Sequence, residues 1–148
     1  MQASRASHPG IYVFDAADAE LSLLPMAARR ALDVAGVHVS LAAWQSLEHS
    51  RRVELVQLGA TETVDPARVR RCLTGVALRE EAAPPEPDAT QPPARVLAAL
   101  GAARPLSAAR WAQLCALDRY VLAQLARRGR LERIAVAYDE IVAAQRDT

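Results

Sequence analysis

Two stretches decide the fold: SLAAWQSLEHSRRVELVQL at residues 40–58 and SAARWAQLCALDRYVLAQL at residues 107–125. Aligned without a gap, they share Ser40 and Ser107, Trp44 and Trp111, Leu47 and Leu114, Arg52 and Arg119, Leu55 and Leu122, and Leu58 and Leu125, always 67 residues apart. These are the only two tryptophans in a chain that is 4% aromatic, so the match points to a repeated helical unit. In each stretch a serine, a good N-cap side chain, opens the run, and a tryptophan stands three residues before a leucine, on the same helical face. A tryptophan can bury ~150–250 Å², which makes Trp44 and Trp111 the expected packing anchors, with Leu47, Leu55, Leu114 and Leu122 beside them.

Outward from these stretches, Pro25 suits the first turn of a helix, and Met26, Arg29, Leu32 and Asp33 continue at helical spacing to a stop at Gly36. His49-Ser50-Arg51 interrupts the apolar stripe, so a split is expected there, with Ser50 capping the second part. Asp65-Pro66 is a cap followed by a first-turn proline, opening a helix with Val69, Cys72, Leu73 and Val76 inward. Val96, Leu97 and Leu100 ending at Gly101 echo Leu32 and Gly36. Ser107 then opens the longest expected helix, running to about Arg128 with Gly129 as its stop, roughly 30 Å at the helical rise per residue. Leu131, Ile134, Tyr138 and Ile141 mark the last helix, and Ile11-Tyr12-Val13-Phe14 reads as a short extended arm. The expected class is all-α, a bundle of about six helices in one domain spanning 1–148. Within it, residues 1–10 are a tail, 11–79 a first helical half, 80–93 a proline-rich linker and 94–148 a related second half.

Composition excludes several functions. With 18 basic residues, all arginine, against 17 acidic ones, net charge is +1, so no overall field draws the protein to nucleic acid or to a membrane surface. No apolar run approaches the ~20 residues of a membrane span. Met1 to Gly10 lacks the apolar core of a signal peptide, and a cytoplasmic location is expected. Cys72 and Cys115 lie far apart, His8, His38 and His49 are dispersed, and the glycines form no phosphate-binding loop. The acidic pairs Glu80-Glu81 and Asp139-Glu140 are adjacent, which splits each across helical faces and reads as solvated charge. The expectation is therefore a non-enzyme without metal or cofactor. Arginine clusters could meet an acidic partner, and Arg29, Arg52, Arg119 and Arg128 are the candidate partner-binding positions. Three other readings are a helix-turn-helix regulator, a helical module with another client, and an enzyme using Cys72 or Cys115 as nucleophile, for which no adjacent base is present.

Leu24-Pro25-Met26 with Leu32-Asp33 and Gly36, then Trp44, Leu47, Arg52 and Leu55, and above all Arg110-Trp111-Ala112-Gln113-Leu114 with Asp118-Arg119-Tyr120, Leu122, Leu125 and Arg128-Gly129, resemble the nitrate reductase-associated protein family. The resemblance implies a small helical accessory protein, encoded near assimilatory nitrate reductase and molybdenum-cofactor genes. Its implied partner is the reductase or a molybdenum-cofactor delivery protein, with no activity or cofactor of its own. Two positions depart from the family's pattern: Leu23 and Leu58-Gly59 stand where relatives commonly carry a cysteine and a Pro-Cys. That departure favours docking over thiol chemistry, or a divergent branch with another client.

Overall fold

A computed structural model describes residues 10–146. Among them are eight α-helices: α1 (Met26–Ala35), α2 (Leu41–Ser46), α3 (His49–Gly59), α4 (Pro66–Cys72), α5 (Ala94–Leu100), α6 (Ala108–Gln113), α7 (Ala116–Arg127) and α8 (Leu131–Arg146). The class is all-α as expected, with eight helices rather than six. One two-residue antiparallel pair, β1 (Val37–His38) with β2 (Arg79–Glu80), completes the regular structure. Elements this short show no alternation in sequence.

The chain divides into two compact units, which within the described range are residues 10–85 and 86–146. In the first, α1 packs on α3 and α4, and α3 packs on α4. Helix α1 is rich in alanine, and Ala27, Ala28 and Ala31 have no exposed surface. Small side chains let another backbone come close, and α3 does: a Cβ on Gly59 would lie 1.7 Å from the Ala27 carbonyl oxygen. Arg30, fully buried, fastens the same crossing by donating from Nη1 to the Gly59 carbonyl at 2.9 Å and from Nη2 to the Glu62 carbonyl at 3.0 Å. A guanidinium suits this task because its fixed fork of donors can satisfy several carbonyls left over at a helix end.

Pro25 proves to be the N-cap of α1 rather than part of its first turn. Proline has no side-chain acceptor, and Asp15 supplies one from upstream, its carboxylate accepting from the Met26 amide at 3.1 Å and the Tyr12 amide at 3.0 Å. The arm expected to be extended therefore curls: Val13–Asp15 form a 3₁₀ turn, and the buried Tyr12 ring stacks on Phe14 with centroids 4.9 Å apart.

In the second unit α5 packs on α7 and α8, and α7 on α8. Nine of the twelve residues of α7 are buried, Tyr120 and Leu122 among them. The tryptophan rows adopt matching local geometry. Ser40 Oγ accepts from the Ala43 amide and Ser107 Oγ from the Arg110 amide, each at 3.1 Å. Trp44 Nε1 donates to the Leu21 carbonyl at 2.8 Å and Trp111 Nε1 to the Asp88 carbonyl at 2.7 Å, in both cases 23 residues upstream. Leu21, a non-glycine residue at φ 53, is held there by this bond and by the neighbouring Asp18–Ser22 hydrogen bonds.

The long helix expected from Ser107 to about Arg128 does not form. Leu114 and Cys115 are extended, with ψ of 150 and 162, and separate α6 from α7. Leu47 and Glu48 make the same break in the first unit, so Glu48 rather than Ser50 caps α3. The break turns Trp111 and Leu114 into the core together, both less than 5% exposed. It also frees the Leu114 carbonyl, which the buried Arg119 guanidinium takes up. Gly129, at φ 66, follows the end of α7 as expected.

Candidate functional site

Of the four arginines singled out by sequence, Arg119 is spent inside the second unit on the Leu114 carbonyl. Arg29 and Arg52 are half-buried on α1 and α3, and Arg128 is exposed just beyond α7. Arg52 Nε is buried without a hydrogen-bond partner, in contrast to the satisfied Arg119 at the matching position. Other cationic positions are neutralised at short range. Arg70 forms a two-pronged pair with Glu80 at 2.8 and 3.1 Å, and Arg79 meets Glu81 at 2.8 Å. Each partnership holds its carboxylate below the usual range, and the Arg70 pair ties α4 to β2, so this acidic pair is engaged rather than merely solvated. His38 stands 3.7 Å from Glu81, and His49 shares a hydrogen bond with the Ala19 carbonyl; His8 lies outside the described residues.

Neither cysteine forms a disulfide. Cys72 is buried on α4, and desolvation, reinforced by its hydrogen bond to Glu54, pushes its thiol up to about 11. A nucleophile needs the opposite shift. Because at a given pH the thiolate fraction falls about tenfold for each unit by which the pKa stands higher, alkylation of Cys72 by iodoacetamide at pH 8 is expected to be about a hundredfold slower than that of an ordinary exposed thiol. Mass spectrometry of timed quenches checks this, and ordinary alkylation rates at Cys72 would contradict it. No three His, Cys, Asp or Glu side chains converge as a metal site among the described residues.

One concave feature of the second unit is an open pocket of about 480 Å³ between the loop after α5, the first turn of α6 and one face of α8. Three arginines line it: Arg104 from the loop, Arg110 from α6 and Arg146 from α8. Asp139, Val142 and Arg146 share a face of α8 because they are spaced by three and four residues. Two contacts pin the loop to that face. Arg104 donates from Nε and Nη2 to the Asp139 carboxylate at 3.1 and 3.2 Å, and the Tyr138 hydroxyl donates to the Pro105 carbonyl at 2.6 Å. Arg110 and Arg146 have no ion pair among the described residues. The lining thus carries three cations against one anion, with Pro105 and Val142 supplying an apolar wall. Sequence reading missed this group because its members come from three segments, and only Arg110 stands in a recognisable motif.

Comparison with known proteins decides the family. The sequence model described as conserved nitrate reductase-associated protein matches residues 12–137. The chain belongs to this family. The matched span covers both tryptophan rows, the α1–α3 crossing and the half of the pocket lining that comes from the loop and α6, leaving Tyr138, Asp139, Val142 and Arg146 beyond it. No curated protein and no solved structure matches the chain. Of the two positions expected to differ from relatives, Leu23 is 56% exposed and Gly59 is buried against Ala27. No helix is long and apolar enough to cross a membrane among the described residues.

Proposed function

We propose that this protein is a non-catalytic accessory factor that acts in the cytoplasm, supporting assimilatory nitrate reductase through protein–protein contact. The observation that carries this reading is the family match over residues 12–137. Supporting it, Cys72, the more deeply buried of the two cysteines, is tuned away from reactivity, while arginines at the surface of the second unit remain available to a partner. The client is the reductase or a protein that delivers its molybdenum cofactor. In the same reading the two units are copies of one helix-pair module, each locked by a tryptophan-to-carbonyl bond, and they form a scaffold rather than a reaction centre.

Deletion of the gene tests the proposal. In nitrate-grown cells the deletion is expected to lower reductase activity per amount of reductase protein, with recovery when the gene is restored. Unchanged activity and normal growth on nitrate would overturn it.

A further inference from the structure

The geometry points to the Arg104–Arg110–Arg146 pocket as the docking site for an acidic peptide segment of the protein partner. The inference rests on the accessory reading above and names the surface and the chemistry that the reading leaves open.

Three features argue for a carboxylate-bearing segment. Arg104 is already committed to Asp139, so its guanidinium serves as a fixed wall, whereas Arg110 and Arg146 line the pocket with no acceptor among the described residues. Guanidinium groups match the planar, two-oxygen geometry of carboxylates, and two of them set around one concavity suit a pair of acidic side chains or an acidic side chain with a polar neighbour. The apolar wall of Pro105 and Val142 gives a place to the side chain between the acidic ones, which a small inorganic anion would leave empty. The floor is also rigid before binding, because the Tyr138–Pro105 bond and the Arg104–Asp139 pair hold the loop against α8, and a preformed site loses less ordering entropy on docking.

The net positive lining predicts binding that weakens as salt rises, since half-exposed charges are screened over roughly 8 Å at physiological ionic strength. It also predicts independence from fold stability. Arg110 and Arg146 make no side-chain hydrogen bond within the described residues, so their replacement removes recognition and leaves packing alone.

The test uses the full-length protein and a fluorescein-labelled peptide of alternating glutamate and leucine, compared with its glutamine counterpart by fluorescence anisotropy at low and physiological salt. The glutamate peptide is expected to bind and the glutamine peptide to bind at least about tenfold more weakly. The double variant R110Q/R146Q should lose at least about tenfold in affinity while its melting temperature stays at the wild-type value. Equal binding of the two peptides, no binding of the glutamate peptide at millimolar concentration, or wild-type affinity in R110Q/R146Q would each overturn the proposal. So would tighter binding of succinate or inorganic phosphate than of the peptide, which would mark a small-anion site. Returning R110Q/R146Q to the deletion strain separates the two levels of inference. Failure to restore reductase activity, with the variant present at wild-type level, supports docking through the pocket. Full restoration overturns the pocket as the docking site while the accessory role stands on the deletion phenotype itself.

Discussion

Gly59→Ala is expected to destabilise the first unit by about 3 kcal/mol or more, at the upper end of what overpacking a closed core costs. The new methyl carbon would begin 1.7 Å from the Ala27 carbonyl oxygen, with the Ala27 carbonyl carbon at 2.5 Å. These are backbone atoms of the first turn of α1, so no side-chain rotation relieves the clash. Helices α1 and α3 would have to separate, stretching the Arg30 bond to the Gly59 carbonyl, now 2.9 Å, which fastens the same crossing. Urea unfolding followed by Trp44 fluorescence in a W111F background measures the effect on the unit that holds Gly59. Gly36→Ala is the control. At φ 73 with nothing within 4 Å of a built Cβ, position 36 should lose only the left-handed backbone preference, roughly 1–2 kcal/mol. A G59A variant as stable as wild type would show that the two helices do not meet as closely as described. The same close approach means that any side chain at position 59 needs wider spacing of α1 from α3.

Trp111→Ala is expected to cost about 3–5 kcal/mol, the range for removing a large aromatic side chain from a packed core. The ring has no exposed surface, and its Nε1 donates to the Asp88 carbonyl at 2.7 Å, so truncation both opens a cavity and releases the segment before α5. Trp111→Phe separates the two contributions. It retains most of the apolar volume and loses the hydrogen bond, for about 1 kcal/mol plus a small cavity cost. Thermal or urea unfolding of the two variants should therefore rank wild type, W111F and W111A in order of falling stability. An unchanged melting temperature in W111A would place Trp111 on a surface and make it a candidate partner contact instead.

How much of this was legible beforehand depended on how local each cause was. Ser40 and Ser107 as caps, Asp65-Pro66 as a helix start, and Gly36 and Gly129 beyond helix ends follow from side chains acting on their own backbone neighbours, and the structure places each where its chemistry requires. The breaks at Leu47 and Leu114 were harder to read. Neither contains proline or glycine, and in the second row the apolar stripe runs straight through the break. At both breaks the tryptophan and the leucine are buried, and Arg119 takes the carbonyl that the second break exposes. The 67-residue correspondence was the available clue, since an interruption read at His49 in one row implies an interruption in the other. Arg30 was overlooked in favour of Arg29 for a similar reason. Periodicity alone does not show which of two adjacent arginines will find backbone carbonyls within reach.

By itself the sequence determined the helical class, the pairing of the two tryptophan rows, the caps and stops, and the family, because each is carried by residue type and spacing along the chain. Only the tertiary structure decided which arginines are spent on internal carbonyls and which still offer donors, that Gly59 is a contact between helices, and that Arg104, Arg110 and Arg146 surround one pocket. Burial and ion pairing are properties of what the chain brings together across tens of residues. A side chain's chemistry is written in its identity, but whether that chemistry is already satisfied depends on neighbours that folding alone supplies.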